Sequence, residues 1–494
     1  MLESLFDSPN MTPESEASDG GPKADPKRYI MLAMYCLLSL TNSNNWVSFA
    51  PISDQTGQYF QTSNNAVNML ALIFSILYGP GSVVGVLWFQ KYKLRDTLIL
   101  GGACSVSGCL VRVIAALLRD IIGADACYGL FLLGQGLIGM GQPILVNLAT
   151  AISSTWFPLE ERDRATTIAT LFNPLGNAVG AIVPPMLVHS TGDDDNGSYR
   201  EIHGMNMLMI VEFFMALVPF ITAIVFFEAR PATPPSYSEA FRDDLQDEVL
   251  AGAPRVRRHS SASTAEGMRE RSSSRGSISI HVDDKNSLSL ARAIAEFKEL
   301  MKNKQYLLLL TSFSFGLGLI NSVLTLIFQL VEPYGYSNND AGLFSFILIV
   351  SGMFGAAVMA YILETTRAYR AVYSYCFVMC LVTVFFFTSM LYHNNLNMLC
   401  VAFVIMGITV VPLFPACLEN VAECTYPISE DMSVGIILTT GNISSVVITL
   451  ILAVMIGLGE YGAPPLTYSN TFIWIWLSLA VMVAVLYKGD NKRL

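Results

Sequence analysis

The sequence predicts an all-α polytopic membrane protein with twelve transmembrane helices in two pseudo-symmetric six-helix bundles. Three observations carry this prediction. Hydrophobic residues make up 53% of the 494-residue chain and charged residues only 14%, against about 25% charged in a soluble protein. Twelve apolar stretches approach the ~20 residues that a bilayer core requires. A set of residues in the second half also repeats one in the first at a fixed offset.

The predicted spans are 29–52, 66–90, 96–118, 126–156, 165–188 and 205–228, then 305–331, 340–363, 369–391, 396–418, 433–459 and 470–487. They divide the chain into a bundle over 29–228 and a second over 305–487. Residues 1–28 are polar and are expected to form a disordered cytoplasmic tail rather than a cleavable signal peptide. Residues 488–494 form a short cytoplasmic tail. Between the bundles, 229–304 is rich in Ser, Arg, Pro and Asp and is expected to be a cytoplasmic, largely disordered linker. Its last part places Leu290, Ile294, Phe297, Leu300 and Met301 at helical spacing, the pattern of an amphipathic helix on the inner membrane face. Ser260, after Arg257-Arg258-His259, is a candidate phosphorylation site. The nine cysteines fall in or beside apolar segments, which suits packing better than disulfides or a metal.

Lys and Arg set the orientation, because they concentrate in cytoplasmic segments. With both termini inside, the short inner segments hold 13 of them, the linker another 13, and the outer loops only Arg119 and Arg200. The remaining one, Arg112, lies within the third span seven residues before Arg119, and is expected to snorkel outward. Asn196, in an Asn-Gly-Ser sequon on the outer side, is a candidate glycosylation site.

The repeat is read from residues. Pro143, Pro158 and Asn173 are spaced fifteen apart, and Pro412, Pro427 and Asn442 reproduce them 269 residues later. The same offset aligns Glu161 with Glu430 and Phe157 with Tyr426. More loosely, the basic turn Gln90–Arg95 matches Glu364–Arg370. Six spans, a long inner linker and six more spans is the plan of the major facilitator superfamily. In that plan charged residues of these turns lock the bundles together on the cytoplasmic side, which makes Glu364 and Arg367 candidate gating residues.

Polar side chains in a bilayer core need a partner, a cavity or a ligand. The first span carries Asn42-Ser43-Asn44-Asn45-Trp46. Gln142 interrupts the fourth span, Asn173 and Asn177 the fifth, Asn321 the seventh and Asn442 the eleventh. At 1.5 Å per residue, Asn173 lies roughly 13 Å beyond Arg164 and Asn442 roughly 16 Å beyond Asp431, both near mid-membrane. Trp46, Gln142, Asn173, Asn321 and Asn442 are therefore candidate solute-binding residues, since repeat-built carriers bind at the midplane between their halves. Such amides also serve as glue between helices, at about 0.6 kcal/mol each. Glu212 in the sixth span is either a proton-coupling site or a partner in helix packing. Glu419 and Glu423, one turn apart at the inner end of the tenth span, could pair with Arg162 or Arg164 as an inner gate.

Several of these segments resemble the feline leukaemia virus subgroup C receptor-related transporters. The likeness lies in Asn42–Ile52, Trp156-Phe157-Pro158, Asn173-Pro174-Leu175-Gly176 and, most specifically, Glu419–Glu430, which is similar to that family's E-x3-E-x2-[YF]-P-x2-E signature. It covers all twelve spans but neither the tails nor the linker, and is nearest the family's major-facilitator-domain-containing branch. The resemblance implies a carrier of choline, ethanolamine, haem or a vitamin. In the choline-transporting branch a first-helix Trp and a seventh-helix aromatic cage the ammonium. Trp46 matches the first, whereas Asn321 stands at the second position. The signature also places Glu430 with Glu419 and Glu423 among the gating candidates.

No histidine lies within a span, which leaves haem without an axial ligand. No Walker, HExxH or GxSxG motif stands in a credible context, so ATP-driven pumping and hydrolysis have no support. Neither an enzyme nor a nucleic-acid binder is expected, and no cofactor or metal is implied. The expectation is a monomeric secondary carrier of a small cationic or polar organic solute, placed in the plasma membrane, with a vacuolar or lysosomal membrane as the alternative. The other readings are a proton-coupled exporter and a receptor or sensor that kept the fold without transport.

The charge asymmetry gives the first prediction. In sealed right-side-out vesicles the linker should resist added protease and Asn196 should be the glycosylated side. Cleavage within 229–304 from outside would reverse the topology.

Overall fold

The computed structural model describes residues 25–191, 201–231, 296–391, 395–425, 428, 430–459 and 467–489. Among them, ten helices are long and apolar enough to cross a bilayer, and two further crossings complete twelve. Helix Asn64–Ile122 has 59 residues, roughly 88 Å at 1.5 Å per residue, nearly three times a ~30 Å hydrocarbon core. It folds back at Lys93, where φ is 66° and ψ is −166°, and so supplies the second and third spans. The first span, Arg28–Val47, falls outside the apolar ten because its polar run, Thr41 to Asn45, lowers its hydropathy.

The fourth span is Ala124–Val146 continued by Leu148–Trp156, the fifth Leu159–Leu187 and the sixth Met205–Phe226. The seventh is Lys304–Thr325 continued by Ile327–Val331, followed by Asn338–Thr366, Tyr369–Ser389, Leu396–Val410 with Leu413–Thr425, Glu430–Gly457 and Tyr468–Leu486. At the end of the molecule that the Lys and Arg count predicts to be outer, called the outer side below, strands His189–Thr191 and Glu201–His203 pair antiparallel. A helical stretch at 296–300 precedes the seventh span; the rest of the expected amphipathic helix lies outside the described residues, as do Asn196 and Ser260. The nine cysteines are free, and most are buried.

The sequence repeat reappears as backbone geometry. The fourth span is interrupted just after Pro143 and the tenth beside Pro412, so each crosses as two helical pieces. Proline removes one ladder hydrogen bond and crowds the preceding turn, which accounts for the break at Val411–Pro412; the fourth span stays helical through Pro143 and is interrupted at Asn147. The two basic turns match as well. Lys93 and Arg367 are two of only three non-glycine residues with positive φ among the described residues, Arg367 in the left-handed helical region and Lys93 with ψ −166°.

Helices are held together by close backbone approach, as lipid offers no hydrophobic gain for bringing them together. In the first half Gly81 and Gly85 of the second span face Met140 and Ile144 of the fourth; in the second, Gly352 and Gly355 of the eighth face Val411 and Ile408 of the tenth. A tight contact joins the fifth span to the first. A Cβ on Gly176 would overlap the carbonyl oxygen of Leu40, and one on Gly180 that of Asn44. Large apolar side chains point outward, among them Leu87, Ile121, Phe226 and Phe354, which is the surface a bilayer requires.

Gly180→Ala should therefore destabilise the protein by about 1–3 kcal/mol, the usual cost of overpacking. Gly129→Ala, in the fourth span with nothing within 4 Å of the added methyl, should leave thermal stability unchanged or raised. Equal melting temperatures for the two variants in detergent would refute the packing account.

Candidate functional site

The polar run of the first span sends its side chains in several directions. Asn42 donates through Nδ2 to Ser105 Oγ (2.8 Å) and the Ile138 carbonyl (3.0 Å), fixing the third and fourth spans. Ser43 Oγ donates to the carbonyl of Asn173 at 2.7 Å, fixing the fifth. The Oδ1 atom of Asn45 accepts a hydrogen bond from Arg112. The guanidinium is not drawn outward as expected from its distance to Arg119; it is fully buried and paired with Glu212 at 2.8 Å. An opposite charge a hundred residues away holds it in the core more cheaply than its stem could carry it to the interface. Glu212 thus lies in a buried ion pair inside the first bundle, in contact with the third span.

Trp46 is 8% exposed and shares one continuous buried cluster with Phe74 and Tyr78 of the second span and Leu319 and Val323 of the seventh. It pairs with no other aromatic ring among the described residues. Asn173 and Asn177, half-buried and one turn apart on the fifth span, each hold a buried amide atom without a hydrogen-bond partner, Nδ2 and Oδ1 respectively. Asn177 is not among the five residues the sequence nominates; its spacing of four from Asn173 puts it on the same helical face. Gln142 and Asn321 are half-buried, and their side chains make no hydrogen bond among the described residues. Asn442 is also half-buried, and its Nδ2 donates to Leu438 of its own helix at 2.9 Å. No hydrogen bond among the described residues joins Trp46, Gln142, Asn173, Asn321 and Asn442; they are spread over the first, fourth, fifth, seventh and eleventh spans.

The two ends of the molecule differ. On the outer side Gln329, at the end of the seventh span, donates through Nε2 to Asn68 Oδ1 of the second at 2.8 Å, both side chains buried. Beside it Gly342 of the eighth span lies against the Ala181 carbonyl of the fifth at a distance where a Cβ would not fit. These contacts close the outer side across the halves. Just outside, burial and the nearby carboxylate of Asp54 push the Glu332 carboxyl above the ordinary carboxylate range. No residue of this outer closure stood out in the sequence, because Asn68 and Gln329 are 261 positions apart and neither belongs to a motif.

On the inner side Arg162 donates to the Ser154 carbonyl at 3.1 Å and Arg164 is exposed; neither forms an ion pair with Glu423 among the described residues. Glu423 is 6% exposed with Oε2 buried and unpartnered, while Glu419 and Arg367 are exposed. Glu364 and Glu430 sit at the inner ends of the eighth and eleventh spans. The first bundle satisfies its inner charges internally: Arg28 pairs with Glu161 at 3.1 Å and Lys27 with Glu228 at 2.5 Å.

Comparison with known proteins agrees with this architecture. The family model of the Major Facilitator Superfamily matches residues 31–449, and the chain belongs to that superfamily. It is 25% identical over 476 residues to solute carrier family 49 member A3 of Xenopus tropicalis, covering 94% of this chain and 86% of that protein. It is 25% identical over 481 residues to the choline/ethanolamine transporter FLVCR1 of Mus musculus, covering 95% and 76%. These relatives bear out the resemblance read from the first, fifth and tenth spans. A crystal structure of a D-xylose–proton symporter superposes with a TM-score of 0.65 at 12% identity, covering 94% of this chain and 98% of that one, and shows the shared fold. The chain is a secondary transporter of the alternating-access type and an integral membrane protein.

The outer bridge gives a direct test. Gln329→Ala removes a hydrogen bond of about 0.5–1.5 kcal/mol, which should raise the outer-open population about 2- to 12-fold. A cysteine placed at the buried Val323 should then react correspondingly faster with a membrane-impermeant maleimide from outside. Glu332 holds its proton more readily in this closed arrangement, so outer acidification should slow that labelling, and Asp54→Asn should weaken the effect. Labelling unchanged by Gln329→Ala would remove the bridge from the gate.

Proposed function

We propose that this member of the major facilitator superfamily carries a small organic ammonium solute bearing a hydroxyl group, the class of ethanolamine and choline, down its own gradient. The observation that carries the reading is the fifth-span strip of Asn173 and Asn177. Each keeps a buried amide atom unpartnered, and leaving a buried polar atom unpaired costs about 1–3 kcal/mol unless a ligand satisfies it. The Oδ1 of Asn177 can accept an ammonium N–H, and the Nδ2 of Asn173 can donate to a hydroxyl oxygen. The Trp46 ring offers one face to a cation, and Gln142, Asn321 and Asn442 supply further amides from the facing spans.

This composition favours a primary over a quaternary ammonium. A quaternary nitrogen has no N–H to give to an amide oxygen and depends on aromatic faces on several sides. Here Asn321 takes the place of the second ring. A primary ammonium gains from every amide oxygen it meets. The candidate residues contain no histidine, so haem fits them poorly. The names of the two relatives at 25% identity, one a choline/ethanolamine transporter, support the solute class.

In the outward-facing state we place Arg162 and Arg164 against Glu419 and Glu423, with Glu364, Arg367 and Glu430 completing an inner closure that replaces the outer one. The plasma membrane suits such a carrier, and we take it to act as a monomer.

Uptake of labelled ethanolamine and choline into proteoliposomes tests the proposal. Asn173→Ala, Asn177→Ala and Asn442→Ala should each raise KM by roughly 2- to 150-fold, the range for a lost hydrogen bond of about 0.5–3 kcal/mol, with expression preserved. Trp46→Ala should lose more than Trp46→Phe, and an imposed proton gradient should change the rate little. Failure to transport either compound, or an unchanged KM in all three asparagine variants, would overturn the reading.

A further inference from the structure

The Arg112–Glu212 pair is the most deeply buried charged group among the described residues, and its surroundings assign it a task. The guanidinium uses Nη2 for Glu212 Oε2 at 2.8 Å and for Asn45 Oδ1, and Nη1 for Gln135 Oε1 at 3.1 Å. The Phe49 ring lies over it, 5.7 Å from ring centre to guanidinium carbon. Gln135 in turn donates through Nε2 to the backbone carbonyls of Asn45 and Leu70, both at 3.2 Å. The remaining amide nitrogen of Asn45 is held by Thr41 O at 2.7 Å. Side chain and carbonyl of Asn45 are thus both fixed, from the third, fourth and sixth spans.

That fixation falls where the first helix most needs it. The helix ends at Val47, and the last carbonyls of a helix lack intrahelical partners and form the negative end of its dipole. A cation and an amide donor aimed at the final turn satisfy both demands. Glu212 cancels the guanidinium charge, which makes the arrangement tolerable at this depth. Every member comes from the first six spans, so the cluster can travel with its own bundle when the halves rock. Protonating Glu212 would strand an unpaired guanidinium in the core.

We propose that the Arg112–Glu212 pair is a fixed positioning device: through Asn45 it clamps the end of the first span and so holds the neighbouring Trp46 ring at the solute cavity. This rests on the reading of Trp46 as a solute contact. Its counterpart is a proton carrier at Glu212, and the two differ in what they predict.

Protein labelled with 5-fluorotryptophan, its Trp46 resonance assigned by loss in Trp46→Phe, reports the ring without any solute. In proteoliposomes the same preparations report uptake. Arg112→Gln with Glu212→Gln removes both charges together. It should fold, shift and broaden the Trp46 resonance, and raise KM for ethanolamine about tenfold, equivalent to ~1.4 kcal/mol, with turnover within about threefold of the parent. Each single variant strands one charge and should express poorly. Asn45→Ala, which keeps the ion pair, should shift the Trp46 resonance as the double variant does, and it carries the test if the double variant does not fold. An unmoved Trp46 resonance in either folded variant would overturn the clamp. So would proton-gradient-driven uptake in the parent that the double variant loses with KM unchanged. If Trp46→Ala leaves KM unaltered, the solute-site reading fails while the resonance still decides the clamp.

Discussion

A polar side chain in hydrocarbon has no water to turn to, and the first span presents five in succession, from Thr41 to Asn45. Each must find its partner within the protein or be left unsatisfied at a cost of several kcal/mol. That single requirement orders the first bundle. Asn42 draws in the third and fourth spans, Ser43 the fifth, and Asn45 the third, fourth and, through Arg112, the sixth. Bare glycine surfaces at 176 and 180 let the fifth span come close enough for the serine to reach a backbone carbonyl. Polar satisfaction and small-residue packing here act as one device, and the second bundle is likewise tied by hydroxyl hydrogen bonds between helices, among them Tyr306 to the Ser433 carbonyl and Thr449 to Ser322.

The two ends of the molecule follow different chemistry. The outer closure joins neutral amides in a dry contact, with carboxylates just beyond it at Asp54 and Glu332. The inner candidates are charged, with Arg164, Arg367 and Glu419 exposed and Glu423 buried. An alternating carrier needs its two closures to be comparable in free energy, so that neither state traps the protein. A buried amide pair on one side and partly hydrated ion pairs on the other are both worth only about 1 kcal/mol each, a scale suited to that balance.

The twelve spans and their pairing into halves were legible because they depend on local signals: apolar length, charge placement and prolines at one offset. Both halves carry a two-piece span near the repeated prolines, although the breaks themselves, at Asn147 and at Val411–Pro412, do not fall at the 269 offset, and the loosely matched basic turns share positive φ at Lys93 and Arg367. What the sequence concealed is long-range pairing. Nothing near Arg112 announces that its partner is Glu212, and proximity to Arg119 argued for the wrong direction. Nor did the sequence show that Asn42, Ser43 and Asn45 of the first span's polar run bond to neighbouring helices of their own bundle. Among site candidates, the Asn173 position was accessible through symmetry. Asn177 has no symmetric counterpart among the polar residues noted and emerged only when its amide oxygen was found without a partner.

The scattering of first-span partners bears on how the chain is made. Helices enter the bilayer in order of synthesis, and the first is too polar to rank with the ten that could cross on apolar length alone. Its amides are met only when the third, fourth and fifth spans arrive. The charge on Arg112, already inserted with the third, stays uncompensated until the ribosome has produced Glu212, a hundred residues later. The polar partners of the first bundle are therefore complete only once all six of its spans are present. A chain interrupted before residue 212 would expose a lone guanidinium to the membrane, the kind of defect that marks an unfinished protein for removal.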